Sequence, residues 1–203
     1  MIRIFAVFAV LFALVGCSVP TTPVDEPLVD LGDFVLGHNI AVTKNLTKGP
    51  LSREGSPERW EASVESAVDA RLGRYDGERL VHLGINVAGY VLAQPGVPVL
   101  MAPKSALILT VTAWDDQAGK KFNAEPKEII VLETFTGSSL LGSGYTMRPE
   151  EQMANLSYNA AKAIEEWLHE NRACLKPNPS SAELAACWKD NKDSRSREAL
   201  ENQ

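Results

Sequence analysis

The stretch ERLVHLGINVAGYVL, residues 78–92, decides the fold of this chain, because its large apolar residues recur at every second position. Between 81 and 87 these residues are Val, Leu, Ile and Val, the period of a β-strand with one buried face. The opposite face of such a strand carries His82, Asn86 and Tyr90. We therefore predict a long strand over 78–92 that presents these three polar side chains together.

Two more strands follow this one in the chain. The segments KSALILTVTAW and KEIIVLETF predict strands at about 104–114 and 127–135. Asp115–Gly119 reads as a hairpin connection between them, since Asp and Gly are favoured in tight turns. Together with 78–92 they predict an antiparallel meander. A separate first strand is predicted earlier in the chain, at about 33–44.

Helix signals surround these strands. Ser56-Pro57-Glu58 supplies an N-cap, a proline and an acidic residue, which predicts an amphipathic helix over 57–72. A second helix opens at Pro149-Glu150-Glu151 and continues to about 171. Ser180 and Glu183 have the spacing of a capping box and predict a short third helix at about 182–189.

The order of elements is β-α-β-β-β-α, followed by the short C-terminal helix. This order predicts an α+β fold with a mostly antiparallel sheet of about four strands and two main helices packed on it. We assign the domain to 31–172, and 173–203 to a disulfide-tied appendage and a polar tail.

The start of the chain has the pattern of an export signal. Arg3 precedes the uncharged apolar run Ile4–Val15, which is shorter than the roughly 20 residues that span a membrane. The run ends in Leu14-Val15-Gly16-Cys17, which resembles the lipobox of bacterial lipoproteins. The resemblance implies that 1–16 is a signal peptide, removed before Cys17, and that Cys17 carries diacylglyceryl and palmitate-type acyl chains. The alternative is an ordinary signal with an incidental cysteine.

An anchor of this kind predicts where the domain is held. Two or three acyl chains attach a protein to a bilayer durably, because each buried methylene contributes about 0.8 kcal/mol. Residues 17–30 contain the lipidated Cys17 and a proline-rich extended tether. Ser18, by resemblance to the enterobacterial sorting rule, implies the periplasmic face of the outer membrane. The inner membrane is the alternative.

Two cysteines remain once Cys17 is lipidated. In an oxidising compartment, a pair such as Cys174 and Cys187 forms a disulfide by default. A metal site is the rival interpretation, but it lacks partners because the nearest histidine is His169 and there is no C-x-x-C motif.

The layout of 31–171 is similar to that of small α+β envelope lipoproteins. These include curli-secretion components, penicillin-binding-protein activators and auxiliary lipoproteins of ABC-type exporters. The resemblance implies an envelope location and no particular site residue.

Residues able to do chemistry are scattered along the chain. His38, His82 and His169 have no metal-binding spacing, and His82 beside Asn86 is the best acid/base candidate. Gly137–Gly144 lies where a loop can cradle phosphate but lacks the P-loop ending, so it reads as a connection. Asp115-Asp116 reads as a turn rather than as paired carboxylates. We expect no cofactor, no bound metal and no catalytic residue.

The charge and composition of the chain limit the functions that it can have. The chain carries 20 basic and 26 acidic residues, a balance that does not favour nucleic acid. We expect a non-enzymatic module that uses an exposed sheet edge or face to bind an envelope protein partner. A small-molecule or lipid binder, with a pocket between sheet and helices, is the alternative, and a hydrolase is the third. Trp60 and Trp167 are predicted core residues, whereas Trp114 and Trp188 are candidates for partner contacts.

Overall fold

The computed structural model describes residues 26–94, 105–133 and 147–193, together with residues 196, 198 and 200. The export segment, Cys17 and the loop Gly137–Gly144 lie outside the described residues. The predictions made for them therefore stay predictions.

A three-stranded antiparallel meander makes up most of the sheet, as predicted. Strand β3 (Arg79–Val91) pairs with β4 (Ala106–Asp115), and β4 pairs with β6 (Lys127–Leu132). The short strand β5 (Lys120–Lys121) lies on the same side of β4 as β6, next to the turn that follows Asp115. Strand β6 ends at Leu132, earlier than the predicted 135.

The first strand pairs parallel to β3, which makes the sheet mixed. Strand β1 (Phe34–Val42) lies beside β3 and is connected to it through helix α1 (Pro57–Leu72). Strand β2 (Thr47–Lys48) also pairs parallel with β3, near its C-terminal end. The α+β class is confirmed, but the sheet has six strands instead of about four. Strands β2 and β5 have two residues each, too few to show an alternating pattern.

The helices begin at the predicted signals. Ser56 caps α1 by accepting a hydrogen bond from the amide of Arg59, and Pro57 is the first residue of the helix. Helix α2 (Pro149–Glu170) and a 3₁₀ turn (Arg172–Leu175) follow, and then helix α3 (Ser181–Ala186) with the predicted capping box. Helix α3 ends before the predicted 189, because Cys187 is extended and disulfide-bonded. No helix in the described part of the chain is long and apolar enough to cross a membrane.

Helices α1 and α2 pack against each other and cover one face of the sheet. Trp60 and Trp167 belong to this core, as predicted. Alternate residues of β3 and β4 point into it, and so do the apolar stripes of both helices, among them Val81, Leu83, Ile85, Val87, Leu107, Leu109, Val111, Val64, Val68, Leu156, Ala160 and Ile164.

The predicted grouping of Tyr90 with His82 and Asn86 is wrong. The register of β3 against β4 shifts between Val87 and Gly89, so Ala88 is an extra residue with no partner. Such a bulge reverses which face the following residues occupy. Tyr90 is therefore 4% exposed and packs on Trp60 in the core, at 5.2 Å between ring centroids.

The C-terminal appendage is docked against the sheet. The structure contains the Cys174–Cys187 disulfide that the sequence predicts, with the Cα atoms 6.4 Å apart. Trp188 follows it and packs against Trp167 and Phe122, at 5.0 and 5.3 Å between ring centroids. The appendage is therefore continuous with the core packing.

Candidate functional site

Among the described residues, both helices that pack on the sheet lie on one of its faces, and no helix covers the other. Large apolar side chains project from this helix-free face into solvent, and Ile40 is 56%, Val42 44% and Trp114 39% exposed. We call this surface the open face. Exposed apolar side chains grouped on one surface are typical of interaction sites.

A groove of about 480 Å³ crosses the open face. The strand register arranges its lining in three cross-strand rows, which are His82 with Trp114 and Lys121, Ile40 with Gly84 and Thr112, and Val42 with Asn86 and Thr110. The groove is shallow and open, because its floor is the backbone of the central strand and its walls are the neighbouring side chains.

Gly84 forms the floor at the middle of the groove. A Cβ atom placed on it would meet only the carbonyl oxygen of Thr112, at 4.0 Å, so no internal contact requires a glycine here. Glycine weakens the interior of a strand and often marks a place where a ligand or another chain approaches closely. Because Gly84 has no side chain, a ligand or a side chain of another protein can reach the sheet backbone at this position.

His82 borders this groove and is held on both ring nitrogens. The backbone N–H of His38 donates to Nδ1 at 2.8 Å, so Nδ1 carries no proton. Nε2 lies 3.0 Å from Oδ1 of Asp116 and donates to it. Gly37 permits this approach, since a Cβ there would lie 2.4 Å from the ring. The arrangement leaves His82 without a free nitrogen with which to accept a proton from a substrate.

The other polar groups of the face are few. The His38 ring stacks on His82 with centroids 4.9 Å apart. Oδ1 of Asn86 is buried and has no hydrogen-bond partner among the described residues. Among those same residues, no group of three or more His, Cys, Asp or Glu side chains is arranged to hold a metal ion.

The β1 edge of the sheet is covered by helix α1. Glu65 accepts a hydrogen bond from the backbone amide of Ala41 at 2.9 Å, and its carbonyl oxygen accepts from the Asn39 side chain. Glu61 accepts from the hydroxyl of Thr43 at 2.7 Å. At the C-terminal end of β1, the helix therefore occupies positions that an added strand would need.

The other candidate residues lie apart from the groove. Asp115 is buried and pairs with Arg79 at 2.7 Å. His169 lies at the end of α2, where its Nδ1 contacts the carbonyl oxygen of Asp30 at 2.6 Å. Of the three histidines, the structure therefore brings His38 and His82 together and leaves His169 apart.

A buried ion cluster, unrelated to the groove, joins α1 to α2. Arg71 is 1% exposed and donates to Glu165 at 2.5 Å and to Glu26 at 2.9 Å. Tyr75 donates its hydroxyl proton to Glu165 at 2.7 Å, and Lys162 lies 3.1 Å from Glu26. This cluster could not be predicted from the sequence, because its members are separated by many residues and show no local motif.

The cluster shifts the pKa values of its members. The hydrogen bonds from Arg71 and then Lys162 lower the pKa of Glu26, because both favour its carboxylate form. Burial, followed by the hydrogen bond to Glu165, raises the pKa of Tyr75 to about 12. Glu26 to Asp30 fall in the predicted tether, and the structure places both ends of this segment against the domain.

The comparisons with known proteins leave the family open. No protein-family model matches the chain, and neither does any curated protein. A candidate lipoprotein from Caulobacter crescentus CB15 is 14% identical over 66% of this chain and 94% of its own, with a TM-score of 0.32. A DUF330 protein from Xanthomonas campestris is 9% identical over 71% and 98%, with a TM-score of 0.36.

A third solved structure is a minor lipoprotein from Acinetobacter baumannii. It is 15% identical over 63% of this chain and 93% of its own, with a TM-score of 0.26. Two of these three neighbours are thus described as lipoproteins. At these identities and scores they do not assign an activity or a partner to this chain.

Proposed function

We propose that this chain is a lipid-anchored envelope protein whose open face binds a protein partner without catalysis. The observation that carries the proposal is the groove over Gly84, with Ile40, Val42 and Trp114 exposed around it. An amphipathic segment of the partner fits this surface, because its apolar row covers the exposed side chains. A large side chain of that segment enters above Gly84, where no Cβ blocks it.

Two further observations support binding through the face. Glu61 and Glu65 occupy the edge at the C-terminal end of β1, which leaves the open face more accessible to a partner than this part of the edge. Both nitrogens of His82 are engaged by His38 and Asp116, which favours a structural role for this histidine over general-base catalysis. The sequence places the anchor at Cys17, on the predicted periplasmic face of the outer membrane.

Site-specific photocrosslinking tests the use of the face. A benzophenone amino acid in place of Thr112 should give an adduct with a defined partner in the protein's own membrane. The same group in place of Ser66, on the exposed side of α1, should not. Ile40→Asp should abolish the adduct at position 112, whereas Ser66→Asp should keep it. Adducts that form equally at both positions, or that survive Ile40→Asp, contradict the proposal.

The lipid anchor has its own test. Cys17→Ser should leave the chain unprocessed and remove the acyl mass from it, because the lipidated thiol is the site that the processing step requires. Mass spectrometry of the membrane and soluble fractions measures both effects. Normal cleavage between residues 16 and 17 in Cys17→Ser would refute the anchor.

A small apolar molecule is the second candidate for the groove. Its volume of about 480 Å³ falls within the roughly 300–1,000 Å³ of ligand sites, and its lining is mostly apolar with a few polar side chains such as Asn86. The groove is not the predicted pocket between sheet and helices, because it lies on the face of the sheet opposite the helices. Native mass spectrometry of protein taken from its own membrane separates the two candidates, since only a ligand adds a small defined mass.

A further inference from the structure

The second sheet edge is occupied by the chain's own C-terminal segment. Residues 188–193, which we call the strap, run along β6. The amide of Glu128 donates to the carbonyl oxygen of Asn191 at 2.9 Å, and the amide of Ile130 donates to Oδ2 of Asp193 at 3.1 Å. These alternate amides point away from β4, where an additional strand would pair.

The two ends of the strap are held very differently. Trp188 is anchored by its ring contacts with Trp167 and Phe122 and by the disulfide of the preceding Cys187. Residues 189–193, with the sequence KDNKD, contribute no apolar side chain. The 3.6 Å ion pair between Lys127 and Asp190 adds a long polar contact. The contacts that hold residues 189–193 at the edge are therefore polar, whereas Trp188 is packed among aromatic rings.

A cleft of about 190 Å³ lies beside β6, between α2 and the strap. Its apolar lining comes from Ile129, Ala163 and Trp167. Trp167 is 3% exposed, and its indole N–H has no acceptor among the described residues.

Apart from the strap's own residues, the charged residues that line the cleft are Lys127, Glu166 and Glu170, so their balance is negative. Glu166 and Glu170 stand four residues apart on the exposed side of α2 and line the cleft. Neither carboxylate forms an ion pair within the described part of the chain. A lysine or arginine side chain can lie along the apolar lining and place its charge at these carboxylates.

We propose that the β6 edge is a strand-addition site for an extended, lysine- or arginine-bearing segment of a partner, and that residues 189–193 occupy this site until the segment displaces them. Alternate side chains of the segment face the cleft and the open face, and its backbone takes the hydrogen bonds of Glu128 and Ile130. The disulfide keeps Trp188 in place during the exchange. This inference uses an edge that the proposed function does not use.

Peptide binding to the full chain in detergent micelles tests the proposal. The probe is a labelled, end-capped hexapeptide of alternating lysine and valine. Asp190→Ala/Asp193→Ala removes both strap carboxylates and should strengthen binding about threefold to tenfold, the range expected from two partly exposed polar contacts. Asp76→Ala/Glu78→Ala changes the net charge equally at a distant surface and should leave binding as in the unaltered chain.

Hydrogen exchange then locates the bound peptide. In the strap variant the amides of Glu128 and Ile130 should exchange faster than in the unaltered chain, and the lysine peptide should restore their protection. Adding Glu166→Gln/Glu170→Gln should weaken binding by a similar factor, and a glutamate-valine peptide should not bind. The proposal is overturned if the strap variant does not bind the lysine peptide, or if binding leaves these two amides unprotected. Neither outcome affects the photocrosslinking at Thr112.

Discussion

Gly84→Ala should stabilise the fold, which is an unusual result for a glycine in the centre of a sheet. The new Cβ would have the carbonyl oxygen of Thr112 at 4.0 Å as its nearest neighbour, so it creates no clash. A glycine in a strand interior costs roughly 0.5–1 kcal/mol relative to alanine. The free energy of unfolding should rise by about that amount, and Tm by about 1–4 °C for a chain of this size.

Filling the groove should reduce partner binding even though it stabilises the fold. Gly84→Val should keep the gain in stability but block the partner's side chain, and so abolish the Thr112 photocrosslink. Gly77→Ala is the control for the stability effect of a Gly→Ala change. Its Cβ would lie 2.3 Å from the carbonyl oxygen of Asp33, so this variant should be less stable than the unaltered chain. Urea unfolding gives the free energies. A Gly84→Ala variant less stable than the unaltered chain, or a stable Gly84→Val variant that still crosslinks, would refute the reasoning.

Three further predictions concern the rest of the domain. Replacing Cys174 and Cys187 by serine should lower the free energy of unfolding by about 3 kcal/mol, the chain-entropy value for a loop of this length; urea unfolding with an unchanged midpoint would contradict it. Arg71→Met should lower the free energy of unfolding by about 3–5 kcal/mol, because it leaves Glu165 buried without its main partner. The double variant Arg71→Met/Glu165→Leu should recover most of that loss, as measured by thermal unfolding. Because the pKa of Tyr75 is raised to about 12, its contribution to stability should be complete below pH 10 and lost as the pH rises through 12; ultraviolet titration should show one late tyrosine that is missing in Tyr75→Phe.

The sequence predicts most of the fold because its signals are local. The alternation in 78–92 and the caps at Ser56 and Ser180 each involve a few neighbouring residues, and the structure has the corresponding strand and helices. The bulge at Ala88 is the exception, since one extra residue leaves the sequence looking like a continuous strand. It moved Tyr90 from the predicted polar face to the core.

The candidate site was only partly predictable. His82 and Asn86 do share an outward face, but the alternation does not show that the helices leave that face uncovered. The strap and the ion cluster depend on contacts between distant residues, such as Ile130 with Asp193. The sequence indicates which residues are near one another along the chain, whereas these features depend on how separate elements pack.

The contacts of Glu26 and Asp30 have a mechanical consequence. Tension applied to the chain before Glu26 is carried first by its bonds to Arg71 and Lys162, and therefore by the two long helices. Beyond Asp30, the buried side chain of Leu31 and the hydrogen bond from the amide of Asp33 to the carbonyl oxygen of Leu175 also precede strand β1. Because Arg71 is buried between the helices, separating it from Glu26 requires several contacts to shear together. Force on the N-terminal side therefore reaches the two long helices before it reaches strand β1.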